Sequence, residues 1–352
     1  MRIAQIAPLF EAVPPKLYGG TERVVSSLTE AMVEMGHDVT LFASGDSVTS
    51  AKLDPPWPRA LRLDPDIRDW VATYAVMIEY VRQRAHLFDV LHFHIDYFPN
   101  SVFLRQDVPF LTTLHGRLDL PELGVVYSTF PQVPLISISD NQRTPLPNVG
   151  WAGTVYHGMS ETLLTPLPVA NRDYFAFLGR ISPEKGIERA IQIAGRAGVK
   201  LKVAAKVDKA DAAYFKASVE PLLADANVEF IGEINDAQKP AFLSGAKALL
   251  FPIDWPEPFG LVMIEAMACG CPIIAMRRGS VPEVMDDGVT GFVVNSVDEA
   301  VAACARLDEI DRAGVRARFE QRFTARRMAE DYVAIYRRLI AERQPQLRAV
   351  GD

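Results

Sequence analysis

The chain has 352 residues, of which 49% are hydrophobic and 23% charged, a composition that excludes a disordered or fibrous protein and leaves room for two domains. Its 44 acidic and 37 basic side chains give a net charge of −7. A protein that coats nucleic acid is therefore excluded, because that task requires an excess of Lys and Arg to displace counterions.

Cysteine usage and the first residues predict a cytoplasmic protein. The three cysteines, Cys269, Cys271 and Cys304, have the spacing of neither a zinc site nor a disulfide framework. Residues 1–15 are interpreted as containing a first strand instead of a signal peptide, and no apolar run reaches the roughly 18 residues that a membrane span requires. A location at the inner surface of the membrane is the alternative.

Short apolar runs alternate with amphipathic helical patterns in the first half of the chain. Strands are predicted at Arg2–Ala7, Asp38–Ala43, Asp89–Phe93 and Pro109–Leu114, and helices at Gly20–Gly36 and Asp69–Ala85. This order predicts a doubly wound parallel sheet with helices on both faces.

Prolines and glycines cluster in residues 145–172 and interrupt this alternation. The pattern then resumes through Tyr174–Leu178, Glu184–Ala197, Val199–Ala204, Asp208–Leu223, Val228–Ile231, Pro240–Ser244, Ala248–Phe251, Leu261–Ala268 and Pro272–Ala275. Two α/β lobes joined near residue 165 are therefore predicted. A last amphipathic helix, Thr324–Glu342, must pack on one of them.

The segment 254–270 reads DWPEPFGLVMIEAMACG and carries the strongest chemical signal. A helix is predicted to begin about Phe259, and its first N–H groups, with Gly260 allowing close approach, suit an anion or a hydroxyl. Glu257 precedes this helix start. Glu265 lies among apolar neighbours and needs a partner if it is buried, for which the two hydroxyls of a ribose are suitable. A solvent-facing Glu265 is the alternative.

Two cations follow the first predicted strand of the second lobe, in the segment 177–186, FLGRISPEKG. Ligands of open α/β sheets bind at the carboxyl ends of the strands. Arg180 offers a fork for phosphate oxygens and Lys185 a point charge near the next helix. The alternative is two solvated surface cations, and the neighbouring segment with Glu257 and Glu265 favours the phosphate role.

In the first lobe, Gly19 and Gly20 lie between a strand and a helix, which suits close backbone approach to an anionic or sugar ligand. A simple tight turn is the alternative. Neither G-x-G-x-x-G nor the phosphate loop G-x-x-x-x-G-K-[ST] occurs, so a standard dinucleotide fingerprint is not supported.

His115 follows a predicted strand and is therefore placed at the ligand-binding edge. His92 and His94 share one face of a strand, and their spacing suits a metal, but they lack an acidic cluster and are better interpreted as hydrogen-bonded structural histidines. The D-x-D pattern at residues 64–66 is interpreted as a loop, and the Arg-rich segment 312–327 as a solvated helical face.

Taken together, these motifs resemble the family 4 glycosyltransferases of the GT-B fold over nearly the whole chain. The resemblance rests on Tyr18-Gly19-Gly20, Gly179-Arg180 with Lys185-Gly186, the segment from Glu257 to Glu265, Pro282-Glu283-Val284, Gly288 with Gly291-Phe292, and the final helix. It implies two Rossmann-like doubly wound lobes facing a central cleft. Residues 1–165 would form the acceptor-side lobe, 166–325 the donor lobe, and 326–352 a helix crossing back to the first lobe.

The resemblance also implies a retaining, metal-independent transfer of a hexose from a nucleotide-diphosphate sugar, UDP-glucose or GDP-mannose, to a hydroxyl acceptor. That acceptor would be a saccharide, a small molecule or a lipid, with no cofactor, no nucleic acid and at most peripheral membrane contact. For the diphosphate of the donor, the implied contacts are Arg180, Lys185, Gly19 and Gly20. Glu265 would contact the ribose. Glu257 and the N–H groups of Phe259, Gly260 and Leu261 would hold the sugar, and His115 would face the sugar that is transferred.

Two other functions remain compatible with the sequence. A GT-B relative that epimerises or hydrolyses the nucleotide sugar would need no acceptor. A two-lobed protein that closes around a free sugar would not be an enzyme, although Glu265 beside Arg180 and Lys185 disfavours it.

Overall fold

The computed structural model describes residues 1–16, 19–224 and 227–343. The chain divides into two units, one of residues 1–159 with the chain from Ala325 onwards and one of Ser160–Thr324. The boundary between the first and second units thus lies between Met159 and Ser160, about five residues before the position near 165 that the sequence predicts. Of the expected terminal helix 326–352, the part beyond 343 lies outside the described residues.

A parallel sheet forms the centre of the first unit. Its strands are β1 Arg2–Ile6, β2 Asp38–Phe42, β3 Lys52–Leu53, β4 Val90–Phe93, β5 Phe110–Thr113, β6 Leu135–Ser137 and β7 Trp151–Thr154. In the described residues they are ordered β3-β2-β1-β4-β5-β6-β7, with every neighbouring pair parallel. The helices are α1 Gly20–Glu34, α2 Trp70–Arg84, α3 Asn100–Phe103, α4 Pro121–Thr129 and, from the end of the chain, α12 Ala325–Arg343.

The second unit repeats this architecture. Its strands are β8 Tyr174–Arg180, β9 Lys200–Lys206, β10 Val228–Gly232, β11 Ala246–Phe251, β12 Ile273–Met276 and β13 Gly291–Val294, in the parallel order β10-β9-β8-β11-β12-β13. The helices are α5 Ile187–Ala197, α6 Ala212–Tyr214, α7 Lys239–Ser244, α8 Leu261–Ala268, α9 Val281–Val284, α10 Val297–Cys304 and α11 Arg312–Arg322. The prediction of doubly wound α/β units is confirmed.

The apolar runs form the inner strands, whose alternating side chains are buried on both faces of each sheet. In β4, for example, Val90–Phe93 are all buried, and Phe93 packs on Phe103 and Phe110 with ring centroids 4.7 and 6.1 Å apart. Local signals set the helix ends. The Asp69 carboxylate accepts backbone hydrogen bonds at the start of α2, and Gly198 ends α5 with φ +65°.

Two segments differ from their predictions. Strand β7, Trp151–Thr154, lies inside the proline- and glycine-rich segment that was interpreted as a break, because its pairing with β6 compensates for weak local propensity. The helix predicted at 208–223 is broken into a 3₁₀ turn, the short α6, a π-helical turn at Phe215–Val219 and another 3₁₀ turn. Pro221 favours the break on the C-terminal side, because proline lacks the backbone N–H that a continuous helix would use.

Helix α12 packs on the first unit through two buried tyrosines. The Tyr336 hydroxyl lies 3.1 Å from Gln5 Nε2 and 2.6 Å from His92 Nδ1. The Tyr332 hydroxyl lies 2.9 Å from Thr113 Oγ1. Helix α12 is thereby joined by polar contacts to β1, β4 and β5. No described helix is both long and apolar enough to cross a membrane.

The expected solvated face of the Arg-rich segment 312–327 is wrong for four half-buried arginines that donate to backbone carbonyl oxygens, Arg312, Arg316, Arg322 and Arg327. The Arg316 side chain is only 15% exposed and donates to the carbonyl oxygens of Leu164 at 2.8 Å, Ala268 at 2.7 Å and Glu161 at 2.9 Å. A guanidinium has five donors, so one arginine can satisfy several carbonyls that no helix or strand uses. Charge pattern alone does not show where such carbonyls lie.

Replacing Arg316 should therefore destabilise the second unit. In Arg316→Ala three carbonyl oxygens lose their donor, and the free energy of unfolding should fall by at least about 1–3 kcal/mol. The control is Arg196→Ala, which removes an exposed pair with Asp298 at 2.7 Å and should change stability by less than about 1 kcal/mol. Urea unfolding measures both variants, and equal losses would contradict the role of Arg316.

Candidate active site

The site in the second unit lies where the strand order reverses. Strands β8 and β11 are neighbours in the sheet but their following connections run to opposite sides, toward β9 and β12. Such a switch point leaves a crevice at the carboxyl ends of the two strands, which is the usual ligand position in open α/β sheets. Arg180 is the last residue of β8, and the loop from Pro252 to Gly260 follows β11.

Lys185 and Glu257, predicted as separate ligand contacts, are hydrogen-bonded to each other. The Lys185 ammonium donates to Glu257 Oε2, and the Trp255 indole N–H donates to the same oxygen at 2.8 Å. Lys185 Nζ also lies 5.1 Å from the centre of the Trp255 ring. Glu257 is 8% exposed and the Lys185 side chain 19%, so the pair joins a buried carboxylate to a partly exposed ammonium between the two loops.

Two glycines allow these loops to approach each other. A Cβ on Gly186, which has φ +71°, would lie 2.2 Å from the Pro252 carbonyl oxygen. A Cβ on Gly279, with φ +54°, would lie 2.3 Å from the Glu257 backbone nitrogen. Ser280 then donates its N–H to the Glu257 carbonyl at 3.0 Å. The sequence shows Gly279 only as one more glycine before a short helix, so its role was missed.

The helix start predicted near Phe259 is observed at Leu261, with Gly260 in a left-handed conformation before it. A Cβ on Gly260 would lie 2.8 Å from Met263 Cε, so only glycine fits without a shift. The Phe259 ring is buried and packs edge-on against Phe323, with centroids 6.1 Å apart. Its side chain is therefore part of the core, and only its backbone is suited to contact a ligand.

Glu265 is buried, so the solvent-facing alternative is wrong. It is 4% exposed, and its Oε1 accepts a hydrogen bond of 2.6 Å from Lys239 Nζ. Lys239 Nζ also lies 3.1 Å from Asp236 Oδ1. The partner that the apolar surroundings of Glu265 require is thus a lysine at the start of α7. Nothing in the sequence connects two residues 26 positions apart on different helices, so Lys239 was missed.

Arg180 lies among three carboxylates instead of in bulk solvent. Its Nη2 donates to Glu184 Oε1 at 2.8 Å, and Asp211 and Asp208 lie 3.7 and 3.9 Å from other guanidinium nitrogens. The side chain is about one-third exposed. These contacts orient the guanidinium at the end of β8, and its exposed fraction leaves it accessible to an anion.

In the first unit, Gly19 and Gly20 precede and begin α1, as predicted, whereas Tyr18 of the same motif lies outside the described residues. A Cβ on Gly19 would lie 2.7 Å from Pro15 Cβ, so the turn is tightly packed. Glu22, in the first turn of α1, is buried, and burial raises the pKa of its carboxyl to about 7. The sequence motifs did not identify this carboxylate.

His115 is half-buried and belongs to a histidine network. Its Nε2 lies 2.9 Å from His94 Nδ1, and its ring stacks on His157 with centroids 5.1 Å apart. Burial lowers the pKa of His115 to about 3, so its imidazole is neutral. His92, bonded to Thr113 at 2.7 Å, and His94 are hydrogen-bonded, as expected of structural histidines.

The described residues contain no group of three or more His, Cys, Asp or Glu side chains arranged to hold a metal ion. In the D-x-D pattern, Asp64 pairs with Arg59 at 2.9 Å. The interpretation of residues 64–66 as a loop agrees with their irregular backbone.

Two family models match the chain, each within one of the units. The model of glycosyl transferases group 1 matches residues 166–322, and that of glycosyltransferase family 4 matches residues 18–140. The α-maltose-1-phosphate synthase of Mycolicibacterium smegmatis is 27% identical over 96% of this chain and 100% of its own length.

Solved structures with the same fold include enzymes and ligand complexes. The sucrose-phosphate synthase of Thermosynechococcus elongatus superimposes with a TM-score of 0.78 at 20% identity, covering 97% of this chain and 99% of that one. Anabaena HepE in complex with UDP and glucose has a TM-score of 0.71 at 20% identity, covering 94% and 98%. With these matches in both units, the chain belongs to the family 4 glycosyltransferases of the GT-B fold and is a glycosyl-transferring enzyme.

Proposed function

We propose that this enzyme is a retaining, metal-independent hexosyltransferase that uses a nucleotide-diphosphate sugar as donor. The observation that carries the proposal is the contact between Lys185 and Glu257 at the switch point of the second unit, beside the start of α8. A cation for phosphate and a carboxylate for sugar hydroxyls are adjacent there. Anabaena HepE, which has the same fold, binds UDP and glucose, so UDP-glucose is the first candidate donor, followed by GDP-mannose.

The donor contacts follow from the charges of the second unit. Lysine has three N–H donors, so Lys185 can keep its bond to Glu257 while donating to a phosphate oxygen. Arg180 is already paired with carboxylates, and the exposed third of its side chain is where a diphosphate would approach the guanidinium. Glu257, with the backbone N–H groups of residues 259–261, would bind the sugar hydroxyls, and Glu265 would accept from the ribose hydroxyls.

The reaction needs stabilisation of the departing nucleoside diphosphate. As the sugar becomes oxocarbenium-like, negative charge grows on the β-phosphate, and fixed cations and helix N–H groups stabilise it without reorganisation. Retention by front-face substitution then lets the leaving phosphate take the proton of the acceptor hydroxyl. From the first unit, Gly19 and Gly20 would approach the diphosphate and His115 the transferred sugar. The acceptor would be a hydroxyl of a saccharide, a small molecule or a lipid.

Donor screening by thermal shift tests the nucleotide directly. A ligand at 100 times its Kd stabilises a protein by about 2.7 kcal/mol, which raises Tm measurably. We expect UDP-glucose or GDP-mannose to raise Tm, and free glucose or mannose to leave it unchanged. A shift with the free sugar and none with any nucleotide would instead identify a sugar-binding protein. Acceptor-free epimerisation or rapid hydrolysis of the donor would identify the other alternative.

The two cations can be tested by removing their charge. Arg180→Gln and Lys185→Gln should each lower kcat by about 10²–10³, the usual effect of deleting one donor to a developing anion. Lys216→Gln, an exposed position in the same unit, is the matched control and should leave kcat unchanged. Rates near wild type in both site variants would refute the leaving-group role.

The ribose role of Glu265 needs a control for stability, because Glu265→Gln leaves Lys239 without its closest carboxylate. We expect Glu265→Gln to weaken UDP binding about tenfold by calorimetry and also to lower Tm. The double variant Glu265→Gln/Lys239→Met removes both charges and should recover part of the Tm but none of the affinity. Wild-type affinity in either variant would refute the ribose contact.

A further inference from the structure

Three side chains from neighbouring strands of the first unit form a hydrogen-bonded chain. Gln5 lies on β1, His94 directly follows β4, and His115 follows β5. Gln5 Oε1 is 2.8 Å from His94 Nε2, and His94 Nδ1 is 2.9 Å from His115 Nε2. Because β1, β4 and β5 are adjacent in the sheet, the chain runs across the strands at their carboxyl ends.

The protons in this hydrogen-bonded series can be assigned by starting from the Gln5 amide. Gln5 Nε2 faces the thioether of Met32 at 3.3 Å and the Tyr336 hydroxyl at 3.1 Å. A thioether sulfur can only accept, so the amide NH₂ is correctly placed there and the carbonyl Oε1 faces His94. An amide oxygen also only accepts. His94 must therefore carry its proton on Nε2.

The tautomer of His94 also determines the tautomer of His115. Burial lowers the pKa of His94 well below its usual value and that of His115 to about 3, so both rings are neutral and carry a single proton each. With Nε2 of His94 protonated, its Nδ1 is an acceptor. His115 must donate to it from Nε2, and this leaves Nδ1 of His115 as a bare lone pair.

This lone pair has no partner among the described residues. His115 Nδ1 is buried and makes no hydrogen bond, and a buried acceptor without a donor is costly. The stacking of His115 on His157, with ring planes 18° apart, restricts rotation of the ring. The nitrogen is therefore held in one place, in the form that accepts a hydrogen bond.

We propose that Gln5 and His94 are positioning residues that hold His115 as its Nε2–H tautomer, so that His115 Nδ1 accepts a hydrogen bond from a hydroxyl of the transferred sugar. This inference rests on the proposed function, in which His115 faces that sugar. It also defines the chemistry of the subsite. A hydroxyl supplies the missing proton, whereas a carboxylate or an ether oxygen at the same place only accepts and would be rejected.

Nitrogen NMR reads the tautomer without any substrate. In protein labelled with ¹⁵N-histidine, the His115 signals can be assigned by their loss in His115→Asn. We expect protonated Nε2 and unprotonated Nδ1 in the free enzyme, and a shift of the Nδ1 signal when UDP-glucose, but not UDP, is added. A protonated Nδ1, or an Nδ1 signal that responds equally to UDP and UDP-glucose, would overturn the proposal.

A pair of variants at His94 separates positioning from packing. In His94→Asn the amide oxygen can take the place of Nδ1 and accept from His115, whereas His94→Leu has no acceptor. We expect kcat/KM to fall about tenfold or more in His94→Leu, with most of that loss recovered in His94→Asn. Equal losses in the two variants would overturn the positioning role.

His92→Leu is the control for loss of a buried histidine. His92 lies on β4, two residues before His94, and bonds to Tyr336 and Thr113 instead of His115. We expect it to lower Tm while the nitrogen signals of His115 stay unchanged, and a change of tautomer in this variant would contradict the assignment to Gln5 and His94.

The outcomes distinguish this inference from the proposed function. Inactivity with every nucleotide sugar, together with an unprotonated Nδ1, would refute the proposed function and support the tautomer. An active enzyme with a protonated Nδ1 would support the proposed function and refute the inference.

Discussion

The second unit depends on one physical constraint, which is that a charged side chain removed from water needs a partner of opposite charge. Glu257 and Glu265 are nearly inaccessible to solvent, and each is held by a lysine from another part of the chain, Lys185 and Lys239 respectively. An unpaired carboxylate at either place would be costly. The loop after β11 and helix α8 are therefore joined to the loop after β8 and to α7 by the same side chains that we propose as donor contacts.

The histidine network of the first unit meets the same constraint with neutral groups. An amide contacts His94 and two hydroxyls contact His92, and burial lowers the pKa of His92, His94 and His115, so these histidines are uncharged. In such a network the proton on each nitrogen is fixed by the hydrogen-bond partner of that nitrogen. The orientation of the Gln5 amide therefore determines the tautomer of His94 and, through it, that of His115. The buried carboxylates of the second unit are thus stabilised by ion pairs, and the buried histidines of the first unit by neutral hydrogen bonds.

Much of the fold could be predicted because parallel sheets covered on both faces leave continuous apolar runs. That Glu265 has a partner was also predictable, since a buried carboxylate among five apolar neighbours is costly without one. Strand β7 and the broken segment at 208–223 were not, because sheet pairing and local turns there outweigh the residue pattern. Arg316 was wrongly predicted for a related reason, as the carbonyls that it satisfies come from distant parts of the chain.

By itself, the sequence determined the α/β class, the two-unit organisation and the residues that carry charge near the strand ends. Those features depend on periodicity and on neighbours along the chain. Only the tertiary structure decided the partners: Lys239 for Glu265, Lys185 for Glu257, and Gln5 with His94 for His115. Hydrogen bonds and ion pairs require contact in space, and the strand order that brings these residues together is not written in their spacing.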